Sequence, residues 1–218
     1  MNVKFAQHSK LYTRDSFQGL PELAYWLSLK SIYYKMWGKS SSKNLEHLWS
    51  EILAGESLLC DRFPWRRIVV VRLFVLNGGR CLVEKEPGIC TDKVNSRSKI
   101  PSKNNRIGEP IINAVSRCFD EEFNMTTRCV LIKNLPVYRG YVDLDSASYP
   151  GLYTRYFIND VAYKVTGLPD YDFYTTDSRT SSLKRTHYWG WENIDDCNCI
   201  PYDSRIVVSK IGSIVLRP

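Results

Sequence analysis

Gly108–Met125 reads GEPIINAVSRCFDEEFNM, and a helix pattern coincides there with a dense set of carboxylates. Glu109-Pro110 reads as a helix entry, because proline is tolerated at the first helical position, where an N–H would have no partner. Ile111, Ala114, Val115, Cys118 and Phe119 recur at three- and four-residue spacing and give one apolar stripe. Asn124 is placed to close the helix. Glu121 and Glu122 are sequential, roughly 100° apart around the axis, so their oxygens can approach one hard cation from neighbouring angles. Arg117 lies one turn earlier and is placed to orient Glu121. The plainer reading of the same pattern is an amphipathic helix with a solvated acidic end.

On the N-terminal side, Ile68–Leu76 (IVVVRLFVL) reads as a buried strand, Asn77-Gly78-Gly79 as a turn, and Arg80–Lys85 (RCLVEK) as the returning strand of a hairpin. Between hairpin and helix, Thr91–Arg106 is polar and basic, with Lys93, Arg97, Lys99, Lys103 and Arg106. It reads as a solvated, mobile loop, or as a surface that grips phosphate or RNA. After the helix, Arg128–Lys133 and Val137–Leu144 read as strands. Tyr149-Pro150-Gly151 reads as a turn, Tyr153–Val165 as an aromatic-rich strand, and Gly167-Leu168-Pro169 as a further turn. Thr186–Trp191 (THYWGW) alternates, with His187, Trp189 and Trp191 on one face. His187 reads as a structural histidine, a base or a substrate contact; the tryptophans read as core or as stacking platforms for a base.

The N-terminal segment MNVKFAQHSKLYTRDSF has no continuous apolar core and so no secretory signal, which points to an intracellular, cytoplasmic protein, with a mitochondrial or plastid address as the alternative. Pro21–Trp37 reads as an aromatic-rich packing helix too interrupted by Lys30 and Lys35 to span a membrane. Gly38–Lys43 reads as a linker, and Asn44 as the cap of a helix carrying Leu45, Leu48, Trp49, Ile52 and Leu53. The chain thus divides into an N-terminal helical extension (1–62), a central domain (63–195) and a tail (196–218) that carries a strand-like run. The net charge of +7 favours an anionic partner. The seven cysteines are odd in number, and several lie in apolar runs, which fits a reduced interior. Cys197-Asn198-Cys199 lacks a second ligand pair for zinc and reads as loop thiols.

The spacing from Lys103 to Met125 resembles the Nudix box, G-x5-E-x7-R-E-U-x-E-E-x-G-U with U a bulky aliphatic. Glu109, Arg117, Glu121, Glu122 and Met125 fall on matching positions, and Phe119 stands where an aliphatic is expected. Lys103 and Asn124 replace the two glycines, and Cys118 replaces the glutamate that follows the arginine. Together with GESLL near Gly55, the hairpin, SASYPGL, GLPDYDF and HYWGW, the chain resembles a stand-alone eukaryotic member of the Nudix hydrolase-like superfamily with a degenerate box, over roughly residues 45–195. The resemblance implies an α/β fold, a Nudix-like α/β/α sandwich with a mixed sheet.

It also implies a metal-dependent hydrolase that cleaves a nucleoside diphosphate linked to another moiety. Glu109, Glu121 and Glu122 would hold Mg2+ or Mn2+, and Glu121, Glu122, Arg117 and Asp120 form the catalytic group. From the basic stretch, Lys99, Lys103 and Arg106 are candidates for gripping the second phosphate. A thiol is a soft ligand badly suited to magnesium, so Cys118 leaves turnover weakened unless Asp120 or a distant carboxylate substitutes. The alternative is a pseudoenzyme, a catalytically inactive Nudix-fold module that binds a nucleotide, an RNA or a protein partner.

Overall fold

A computed structural model describes residues 10–39, 41–61, 64–85, 98–123, 129–130, 136–165, 167–176 and 186–196. The fold is mixed α/β, with three helices and ten strands among the described residues. It forms two compact units: Met1–Val70, Asn104–Glu109 and Gly140–Phe157 make the first, and Val71–Lys103, Pro110–Arg139 and Ile158–Pro218 the second. Strands β3 (Trp65–Asn77) and β8 (Tyr153–Val165) begin in the first and end in the second. Among the described residues no helix is long and apolar enough to cross a membrane.

In the first unit, β1 (Leu11–Tyr12) pairs antiparallel with β2 (Leu58–Cys60), and β2 with the start of β3. Helix α1 covers Leu20–Leu29, shorter than the helix expected over Pro21–Trp37. It stops because Ser31 turns into the left-handed region (φ 59°) and the Ile32 amide donates back to the Leu27 carbonyl at 3.0 Å. Those are the marks of a Schellman ending, here built on serine rather than glycine. A short 3-10 turn, Tyr34–Met36, follows. Helix α2 (Leu45–Leu53) starts as the sequence predicts, the Asn44 side chain accepting from the His47 amide at 2.9 Å.

The end of α2 is also a Schellman motif: the Glu56 amide reaches the Glu51 carbonyl at 2.8 Å, and Gly55 sits at φ 73°. A Cβ at Gly55 meets no atom closer than 3.5 Å, so only the backbone conformation penalises it. Gly55→Ala is therefore expected to cost about 1 kcal/mol, read as a lower melting temperature with unchanged circular dichroism.

A polar network lies under these helices. The Glu51 carboxylate accepts from Arg66 Nη1 (2.8 Å), Lys43 Nζ (2.8 Å), Ser57 Oγ (2.8 Å) and the Tyr149 hydroxyl (2.9 Å). The Arg66 guanidinium also lies over the Tyr149 ring, 4.6 Å from its centroid.

In the second unit, the end of β3 turns into β4 (Arg80–Lys85) with Asn77 opposite Arg80. The turn residues are thus Gly78 and Gly79, both at positive φ (55° and 77°), the demand of a two-residue hairpin turn. Strand β10 (Thr186–Asn193) lies antiparallel between β4 and β9 (Phe173–Thr176), with Trp189 opposite Glu84 on one side and Phe173 on the other. Strand β6 (Cys129–Val130) pairs antiparallel with the end of β8; β7 (Pro136–Asp145), which begins in the second unit and ends in the first, also pairs with β8. One face of this sheet carries helix α3 (Ile111–Phe123): Val71, Leu73, Val75 and Leu82 pack with Ala114, Val115, Phe119 and Phe123.

The stretch expected to be a mobile loop differs in the part described. Ser102–Asn105 is a strand, β5, paired with β3. The Leu73 amide donates to the Pro101 carbonyl (2.7 Å), and Glu84 and Lys99 exchange both backbone bonds (2.8 and 3.0 Å). Backbone pairing therefore orders a segment with no apolar alternation. Lys93 and Arg97 of that stretch, Asn124, Met125 and the tail with Cys197 and Cys199 lie outside the described residues.

Candidate functional site

Helix α3 starts where proline permits, the Asn113 and Ala114 amides donating to the Pro110 carbonyl at 2.9 and 3.4 Å. Its apolar stripe faces the core, which brings Cys118 to full burial and leaves Glu121 and Glu122 at the margin. Strand β5 presents Lys103 to them. Lys103 Nζ lies 2.5 Å from Glu121 Oε2 and 3.6 Å from Glu122 Oε1, with only 22% of the lysine side chain and 17% and 14% of the two carboxylates exposed. The two glutamates thus converge on one cationic point, which is what their sequential placement predicts.

Burial alone would disfavour the Lys103 ammonium, but the Glu121 hydrogen bond and the charges of both glutamates more than offset it, and its pKa lies above the ordinary lysine value. Glu122 stays raised despite Lys103, because burial outweighs the pull of Lys103 and His187 and because Glu84 adds a like charge. One ammonium is shared by two carboxylates, and Glu121 has the closer contact.

Cys118 hydrogen-bonds the Glu122 carboxylate, and burial followed by the Glu122 charge pushes its thiol well above the usual range. It is a neutral core residue, unsuited to act as nucleophile or base. Cys118→Glu would supply the carboxylate that the box pattern has at this position, but it places a longer, charged side chain among Val115, Phe119 and Phe123. We expect it to destabilise the fold by about 3 kcal/mol or more, seen as a large drop in melting temperature that Cys118→Ser does not match.

Behind Glu122, the Thr175 hydroxyl donates to the Glu122 carbonyl and accepts from Trp189 Nε1 at 2.8 Å. His187 is buried, its Nδ1 2.8 Å from Glu84 Oε1 and its ring stacked on Trp189. Trp189 is 1% exposed, which removes it as a stacking platform for a base. Trp191 is half-buried and donates to the Pro169 carbonyl at 2.8 Å. Thr175 and Glu84 had no motif to mark them: Thr175 comes from a four-residue strand, and Glu84 is recognised only through its pairing across the sheet.

Arg117 and Asp120 are half-buried on α3, and Lys99 is exposed beside β4. Glu109 and Arg106 belong to the first unit, where the Glu109 carboxylate accepts the Arg106 amide at 2.8 Å and Arg106 Nε approaches Glu56 at 3.8 Å. The structure brings together Lys103, Glu121 and Glu122.

Of these residues, Glu121 and Glu122 carry the ligand type that a divalent magnesium ion takes. The donors are hard carboxylate oxygens, and an ammonium already stands in for a cation where they meet. Among the described residues no group of three or more His, Cys, Asp or Glu side chains is gathered for a metal. Two carboxylates suffice for magnesium only when other oxygens complete its shell.

No protein-family model and no curated protein matches this chain. Among solved structures it is similar to a NUDIX hydrolase from Nitrosomonas europaea, at 21% identity and TM-score 0.34 over 60% of this chain and 74% of that one. It is also similar to a MutT NUDIX hydrolase from Burkholderia pseudomallei, at 17% identity and TM-score 0.35 over 65% and 95%. A third similarity is to MutT in a study of Aliivibrio salmonicida and Vibrio cholerae, at 16% identity and TM-score 0.31 over 67% and 98%.

Proposed function

We propose that this chain is a Nudix-type hydrolase that cleaves a nucleoside diphosphate linked to another moiety with the help of Mg2+ or Mn2+. The observation that supports this most is the convergence of Glu121 and Glu122 on one cationic point at the edge of α3. Glu121 and Glu122 would hold the ion, with Glu109 a further candidate from the box. When bound, the ion neutralises charge on the diphosphate and acidifies a water. Arg117 and Asp120, on the same helix, are the candidates for orienting the carboxylates. Thr175 fixes the backbone carbonyl of Glu122 and so the last turn of the helix. Lys103 supplies the positive charge that the second phosphate requires, with Lys99 and Arg106 as further candidates.

A second reading is the catalytically inactive module, and the burial of Cys118 favours it, because the position that carries a carboxylate in the box is here part of the core. The two separate on one experiment: a panel of nucleoside diphosphate derivatives, including sugar- and ribose-linked ones, is incubated with the protein in Mg2+ and then Mn2+. Release of a mononucleotide supports the hydrolase. Retention of a ligand without turnover, in either metal, supports the module.

A further inference from the structure

We infer that Lys103 is a tethered cation that covers the Glu121–Glu122 point in the free protein and passes to the diphosphate when substrate and divalent ion enter together. This rests on the hydrolase reading and adds to it an order of binding. Lys103 stands where the box has a glycine, and its backbone is held by β5, so only the flexible four-carbon stem has to move. Lys103 Nζ lies 2.5 Å from Glu121 Oε2 and 3.6 Å from Glu122 Oε1, so an ion entering alone at the two carboxylates meets the repulsion of an adjacent ammonium and binds well only where that ammonium moves away. The displaced ammonium, with about a fifth of its side chain exposed, would then lack a counter-charge.

A diphosphate removes that obstacle. It brings the negative charge that Lys103 needs and the phosphate oxygens that a magnesium ion takes alongside one or two protein carboxylates. Metal and diphosphate each ease the entry of the other, and the coupling is reciprocal. Lys103 is therefore a positioning residue for the ion and a binding residue for the phosphate.

The test is a Mn2+ titration of the full chain, read from the electron paramagnetic resonance of free Mn2+, with and without α,β-methylene-ADP as a hydrolysis-resistant diphosphate, the Mn2+ that the analogue itself binds being taken from a protein-free titration and subtracted. In wild type the analogue should tighten Mn2+ by about tenfold or more. In Lys103→Met, Mn2+ alone should bind about tenfold more tightly than to wild type, and the analogue should change it by less than about threefold. Lys103→Gln should behave in the same way, and thermal melts establish that each variant is folded. Equal Mn2+ affinity in wild type with and without the analogue overturns the inference, and that arm needs no variant. So does a folded Lys103→Met that binds Mn2+ no better than wild type. Coupling without hydrolysis of any panel member supports the exchange and removes the hydrolase reading, whereas hydrolysis without coupling overturns the exchange alone.

Discussion

Glu121→Gln/Glu122→Gln is expected to lower metal-dependent turnover by about a hundredfold or more, with the fold intact. Glutamine preserves the size of each side chain and a carbonyl oxygen for Lys103, but it removes both charges that attract a cation. Glu122→Gln alone should leave the melting temperature unchanged or raise it. Burial holds Glu122 above the ordinary carboxylate pKa, so the folded state binds its proton more tightly than the unfolded state does. Ionising it therefore costs stability as pH rises from the unfolded value of 4.5 toward the higher folded one. Lys103 has the opposite signature. Its pKa is raised above 10.5, so its contribution is complete below that value and is lost as pH rises through the folded one. The double variant should lose that alkaline dependence, which an alkaline series of thermal melts would show. Full turnover in a folded double variant would place the chemistry elsewhere.

The second large effect lies in the first unit. Glu51→Ala is expected to destabilise the protein by about 3–5 kcal/mol, because it leaves the Arg66 guanidinium, 3% exposed, without its counter-charge. Arg66 would keep its contacts to Thr154 (3.3 Å) and Ser146 (3.4 Å), which are hydroxyls and cannot neutralise it. The pH dependence follows with its sign. Burial opposes ionisation of Glu51, but Lys43, Arg66 and Ser57 more than offset it, so the folded pKa lies below 4.5. That stability is present above pH 4.5 and is lost as pH falls through the folded value. Urea melts between pH 3 and 7 would show wild type losing stability at the acid end, and Glu51→Ala already low and flatter across the range. A variant within about 1 kcal/mol of wild type would mean that the network stabilises little.

Local chemistry accounts for what could be read in the sequence. Helix α3 lies inside Gly108–Met125 because an apolar stripe and a proline mark it. The hairpin was legible from a β-branched run ending in glycines, and β8 covers Tyr153–Val165 as read. That Glu121 and Glu122 could face one cation was legible, because sequential helical positions lie only about 100° apart around the axis. Their partner was not. Lys103 sits in a polar stretch without alternation, and only the pairing of β5 with β3 orders its backbone. The Glu84–His187 pair was hidden for the same reason, since it joins two strands adjacent in space and far apart in the chain. The early end of α1 was missed because Ser31 adopts a backbone conformation usually marked by glycine or asparagine.

The most direct test of the central claim is hydrolysis of the diphosphate panel in 18O-labelled water, with products read by 31P NMR, for wild type and for Glu121→Gln/Glu122→Gln. The account predicts one labelled phosphate per turnover in wild type, dependent on Mg2+ or Mn2+, and none from the double variant. Equal label from a folded double variant, or no label from wild type with any panel member, would contradict it.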